Sequence, residues 1–231
     1  MESVDLESLY GATNENTLTL WQENSGIGKR REDYYDPRKL ALAAGIQPVL
    51  PQPVTALLRQ LRHLIGHDPL ADVLPDMGFH FTFLPLTLPL YQPNAPLPEK
   101  VRFLTEIWQG YQARSIHIRQ LRLVALPRQL LLAGIPDETA VSLRHAFCEQ
   151  ILNSPWKEEL RARHRNTPLP APFWHSTLLR YRAAFMPEAL RTFFRERQSQ
   201  RFGEVSGELK LARINYNWTT CYPVAGESLM S

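Results

Sequence analysis

Two short segments constrain this chain more than any others. GFHFTFLPL at residues 78–86 and PFWHSTLLRY at 172–181 each set a histidine in an apolar, aromatic run and follow it, two positions on, with a threonine. Residues two apart on a β-strand share a face. His80 and Thr82 therefore point one way while Phe79, Phe81 and Phe83 point the other, and His175 and Thr177 point together with Trp174, Ser176 and Leu178 opposite. The apolar side fixes each strand to a core and the polar pair is left for a pocket. Seven histidines and thirteen threonines in 231 residues give about 0.4 His-x-Thr pairs by chance. Spacing alone is thus weak, and its weight comes from context: both pairs lie in strand-like segments, 95 residues apart, each followed by a helix and further strands.

The elements between them follow from periodicity and punctuation. PVTALLRQLRHLIGH at 53–67 places Leu57, Leu58, Leu61, Leu64 and Ile65 on one helical face. Five prolines in PLTLPLYQPNAPLPEK at 85–100 forbid a helix and predict a surface loop over the sheet edge. A helix over 98–115 faces Val101, Leu104, Ile107, Trp108 and Tyr111 inward, two strands hinge near Pro127, and an acidic first turn opens a helix over 137–154. A further helix over 187–202 and one or two closing strands complete the order: strand with His, helix, two strands, helix, strand with His, helix, final strands. This order predicts an α+β fold of two pseudo-symmetric lobes of antiparallel strands flanked by helices, with a cleft between the lobes that the four polar side chains share.

Composition removes several classes. With 26 Lys and Arg against 23 Asp and Glu, a net charge of +3 does not announce a nucleic-acid-wrapping protein, although a local basic groove remains open. Two cysteines, Cys148 and Cys221, build neither a disulfide framework nor a four-cysteine zinc site. The acidic amino-terminal stretch lacks the pattern of a secretory signal and no apolar run is long enough for a membrane span, so a cytoplasmic monomer with no membrane partner is expected. Residues 1–50 show no sustained periodicity and are read as a partly flexible arm, its charged run at 24–39 a loop or a docking segment, ahead of a two-lobed domain over 51–231.

On the motifs FHFTF at 79–83 and WHSTL at 174–178, and on the element order around them, the chain from about residue 55 onward resembles the two-histidine phosphoesterase superfamily, with its LigT-like fold. The resemblance implies active-site roles for His80, Thr82, His175 and Thr177, and substrates among cyclic nucleotide phosphates, RNA ends and 2′,5′-linked oligonucleotides. The residues themselves permit that chemistry. An imidazole with pKa near 6.5 serves as base in one copy and acid in the other at neutral pH, and the threonine hydroxyls can donate to phosphoryl oxygens. The expectation is a phosphodiesterase with no metal and no cofactor, acting on a nucleotide or RNA substrate. Alternatives are RNA-end joining by the reverse reaction, a nucleotide- or RNA-binding module without turnover, and a docking protein that uses the 24–39 run.

Other residues carry less. Tyr181, in register with His175 and Thr177 if the strand runs on, is a candidate to stack on a base, and Arg180 and Lys210 are candidate anion binders. Trp108, Tyr216 and Trp218 suit stacking or core packing. His63 and His67 lie four apart, yet without a third ligand they read as a solvated helix face. His117, His145 and His164 are assigned no chemistry, and RARHRNTP at 161–168 reads as a solvated helix end or a steering patch. No Walker loop, dinucleotide fingerprint or serine-hydrolase elbow occurs.

Overall fold

A computed structural model describes residues 5–32 and 36–224. In chain order it contains α1 (Leu6–Glu23), β1 (Ala41–Ile46), α2 (Gln52–Ile65), β2 (Ala71–Val73), β3 (Phe81–Pro85), α3 (Val101–Trp108), β4 (Ser115–Leu126), β5 (Gln129–Pro136), α4 (Glu138–Leu152), α5 (Lys157–Arg163), β6 (His175–Tyr181), α6 (Glu188–Arg197), β7 (Val205–Glu208), β8 (Lys210–Ile214) and β9 (Cys221–Pro223). The strands form two antiparallel sheets, one in the order β3-β1-β8-β9 and the other β2-β6-β5-β4-β7. This is the expected two-lobed α+β architecture, one histidine strand in each lobe.

The sheets are interlaced along the chain. β2 precedes β3 in sequence yet pairs with β6 in the second sheet, while β8 and β9, at the far end of the described chain, complete the sheet begun by β1 and β3. One continuous core fills the space between the lobes, joining Phe81 and Phe83 of β3 to Phe147 of α4 and Trp174 beside β6. Phe83 meets Phe147 and Trp174 at 6.1 Å between ring centroids, so the aromatic side of both histidine strands is shared core.

Residues 1–50 differ from the sequence reading. They supply α1 and one of the two inner strands of the first sheet, β1. α1 lies across β4 and β5 and is held by hydrogen bonds more than by an apolar stripe: Tyr10 Oη donates to Gly134 O at 2.8 Å, Thr17 Oγ1 to Ala125 O at 2.6 Å and Trp21 Nε1 to Pro127 O at 3.0 Å. Asn14 Oδ1 accepts from Ala125 N at 2.8 Å. These residues recur on one helix face, but all four are polar or amphipathic, so hydrophobic periodicity does not reveal them.

The charged run after α1 docks on its own chain. Residues 27–31 lie antiparallel to 182–185 through Arg31 N to Arg182 O, Ala184 N to Lys29 O and Phe185 N to Ile27 O. The buried Arg191 guanidinium of α6 donates to Trp21, Asn24, Gly26 and Met186 carbonyl oxygens. Residues 33–35, inside the segment read as a docking run, lie outside the described residues.

The proline-rich passage is irregular, as its composition predicts, and it is fastened rather than loose. Prolines donate no N–H, so their neighbourhood offers carbonyls in excess. The buried Arg213 of β8 donates to the carbonyls of Gln92, Pro93 and Ala95. Thr87 Oγ1 accepts from Leu42 N at 3.0 Å, which seats the start of the loop against β1.

Candidate active site

Each histidine strand carries a β-bulge, and in both it falls on the residue after the threonine. On β3, Thr82 pairs with Gly45 and Leu84 with Ala44, leaving Phe83 as the extra residue; on β6, Thr177 pairs with Leu131 and Leu179 with Leu130, leaving Leu178. A bulge inverts the facing of everything that follows it. On β6 it brings Arg180 to the side of His175 and Thr177 and sends Tyr181 to the other.

The result is one cleft of about 310 Å³ between the sheets, lined by His80, Thr82, His175, Thr177 and Arg180 together. Two of the expected residues stand elsewhere. Tyr181 lines a neighbouring pocket, and its hydroxyl donates to Asp68 Oδ2 at 2.9 Å. Burial and that carboxylate push its pKa to about 12. Uninterrupted alternation predicts Tyr181 in the cleft; the bulge at Leu178 is why it is not. Lys210 opens β8 opposite Gly45, exposed, its Nζ 3.5 Å from Gln47 Oε1 and away from the cleft lining.

The histidines are held differently. His80 is buried, 5% exposed, and its Nδ1 lies 2.6 Å from Gly78 O. A carbonyl only accepts, so Nδ1 carries the proton and Nε2 is the ring nitrogen left to exchange one. Trp218 stacks on the ring at 5.0 Å between centroids and 14° between planes. Trp218 itself sits in the left-handed backbone region at φ 59°, a costly conformation for a bulky residue, held by a braced turn. Asn215 Nδ2 donates to Thr219 Oγ1, Thr219 Oγ1 to Asn217 Oδ1, and Gln47 Nε2 to Trp218 O. His175 has a covered Nδ1 without a partner among the described residues, and meets the edge of Phe173 at 6.1 Å.

Burial governs both titrations. Loss of solvation drops His80 to about pKa 3, with Arg180 and His175 adding repulsion against the partial offset of the Gly78 bond. Loss of solvation, then Arg180 and Arg144, drops His175 to about 4. The two imidazoles and Arg180 thus share one field, and both rings are neutral near pH 7 while no anion is bound.

The remaining lining sorts by charge. Lys39, Arg144, Arg163 and Arg180 face this cleft, and among the described residues no Asp or Glu does. A chain with nearly balanced charge has gathered one sign here, which favours an anionic ligand. His164, given no role from sequence, also lines the cleft, its Nε2 2.9 Å from Pro85 O and its Nδ1 3.3 Å from Thr167 Oγ1. It ties the end of α5 to β3. Arg144 was missed as well, since an arginine inside an amphipathic helix carries no local signal. His63 and His67 are exposed, and no group of three or more His, Cys, Asp or Glu among the described residues is placed to hold a metal ion.

No family model and no curated protein matches this chain. Among solved structures, the crystal structure of TT0787 of Thermus thermophilus superposes with a TM-score of 0.51 at 18% sequence identity, covering 81% of this chain and 99% of that one. At such identity the likeness is one of fold: this chain shares the two-lobed α+β fold of TT0787.

Proposed function

We propose that the chain is a metal-independent phosphodiesterase that opens a 2′,3′-cyclic or 2′,5′-linked phosphodiester of a nucleotide or RNA end. One observation carries the reading: both His-x-Thr pairs and Arg180 meet in a single cleft whose charged lining, among the described residues, is all positive.

The chemistry follows from the groups present. A phosphodiester between the two imidazoles is attacked by water as one neutral ring removes the water's proton and the other, as imidazolium, protonates the departing ribose oxygen. The bond formed is P–O(water) and the bond broken is P–O(ribose), so protons and charge balance without a further reactant. His80 exchanges its proton through Nε2 because Gly78 O holds Nδ1. Thr82 and Thr177 supply hydroxyl donors and Arg180 a cation to the phosphoryl oxygens, where negative charge builds. The substrate's own anion offsets the loss of solvation that depresses the imidazoles, and the smaller repulsion from the neighbouring cations, and so favours one imidazolium once the diester is in place.

The test is a panel of 2′,3′-cyclic mononucleotides, RNA with a cyclic phosphate end, and 2′,5′- and 3′,5′-linked oligonucleotides. It compares wild type with the His80→Asn, His175→Asn double variant, with and without chelator. Turnover of at least one diester that survives chelator and disappears in the double variant supports the reading. Turnover unchanged by the double substitution, or restored after chelation only by a divalent metal, overturns it.

A further inference from the structure

Among the described residues four arginines are buried, and three of them meet a carboxylate or at least three carbonyl oxygens of the chain. Arg122 pairs with the Glu7 carboxylate at 2.6 Å. Arg191 donates to four carbonyl oxygens and Arg213 to three. The fourth, Arg144 of α4, is 5% exposed and is set apart by having one long bond, Nη1 to Phe173 O at 3.3 Å; its Nε, like that of Arg122, is covered and unpartnered among the described residues. Its guanidinium lies 3.8 Å from the centroid of the Trp174 ring. No carboxylate among the described residues pairs with it; the ionisable groups that bear on it, Tyr10 and Cys148, both have pKa values raised by burial and are neutral at pH 7. A buried cation with neither carboxylate nor a full set of acceptors is destabilising.

Arg144 lines the same cleft as His175, and its place along β6 is defined. It docks on Phe173, two residues before His175, whereas Arg180 follows His175 by five residues. At about 3.3 Å per residue the two cations bracket the histidine from opposite ends of the strand. Arg180 adds repulsion at both imidazoles and Arg144 at His175. Arg163 and Thr167 line the cleft too.

We propose that Arg144 binds a second phosphate of the substrate, next along the strand from the diester being opened, so that the site is built for an oligonucleotide in preference to a single nucleotide. This rests on the phosphodiesterase reading for its kinetic form, but its binding form stands apart from turnover.

The binding experiment uses a three-nucleotide RNA with an ordinary 3′-phosphate, which presents no cyclic diester to open. Its affinity is measured against salt for wild type, Arg144→Gln and Arg144→Lys, with the folding of each variant checked by thermal unfolding. The expected result is an affinity about 10- to 100-fold lower in Arg144→Gln, with a salt slope smaller by about 0.7, the loss of one phosphate contact to a single strand. Arg144→Lys, which keeps the charge, retains the wild-type slope. An unchanged slope in Arg144→Gln overturns the proposal, and a merely structural role at Trp174 predicts that outcome. The kinetic experiment compares kcat/KM on RNA ending in a cyclic phosphate with kcat/KM on the cyclic mononucleotide. The ratio falls by a similar factor in Arg144→Gln; equal losses on both substrates place Arg144 at the scissile phosphate and overturn the assignment. Should wild type turn over neither substrate, the cyclic-phosphate form of the phosphodiesterase reading fails and the salt-slope result alone decides Arg144.

Discussion

His80 makes a folded but inactive variant straightforward to specify. Asn places an N–H donor where Nδ1 stands, keeping the bond to Gly78 O while removing Nε2. His80→Asn is expected to lose about 10²- to 10⁴-fold in turnover with a thermal midpoint near wild type, measured by unfolding and initial rates on one sample. The pH behaviour follows from the same ring. kcat/KM reports the empty enzyme, in which burial holds the imidazoles near 3 and 4, whereas kcat reports the complex, in which the bound anion raises them. The basic limb of the kcat profile therefore lies at higher pH than that of kcat/KM. Coincident limbs would contradict this account of how the acid is formed. Stability is linked with a definite sign. Both folded values are depressed below the ordinary 6.5, so from about pH 6.5 downward the unfolded chain binds more protons and the folded state loses ground until pH falls past the folded values. Thermal midpoints measured between pH 7 and 4.5 are expected to drop less steeply in His80→Asn than in wild type.

Elements show where local sequence informs and where it misleads. The apolar helices and the β4–β5 hinge at Pro127 are legible because period and proline speak for them. β1 is not: Ala41, Ala43, Ala44 and Gly45 are poor strand formers in isolation, and their small size answers to neighbours far along the chain. A Cβ on Gly45 would meet Phe81 O at 2.6 Å and the Trp218 ring at 2.8 Å. Gly45→Ala is thus expected to destabilise the first sheet by about 1–3 kcal/mol and to disturb the Trp218 stack on His80. The checks are denaturant unfolding, and a shifted pH–rate profile in whatever protein remains folded. The bulges are equally hidden. The His-x-Thr pattern places His80, Thr82, His175 and Thr177 correctly in a common cleft, but nothing in WHSTLLRY marks Leu178 as an extra residue, so the choice between Arg180 and Tyr181 as the cleft-facing side chain is made by pairing with β5.

At the scale of the molecule, the two-lobe architecture is readable from element order, but which strand joins which lobe is not, because partner choice depends on contacts between distant segments. The amino-terminal segment shows the difference most clearly. Deleting residues 1–50 removes the inner strand β1 and the helix that α6 clamps through Arg191. The expected product lacks a cooperative unfolding transition by circular dichroism; a truncated protein that keeps both the transition and the hydrolysis would show the segment to be dispensable. The charge sorting of the cleft is likewise a property of the assembled whole, since Lys39, Arg144, Arg163 and Arg180 come from separate parts of the sequence.

The interlaced sheets also order events during synthesis. A ribosome delivers β1 and β3 early, yet their sheet lacks its inner partner β8 until more than a hundred further residues have emerged. The lobe begun first is finished last, and its unsatisfied strand edge is exposed to other nascent chains throughout that interval.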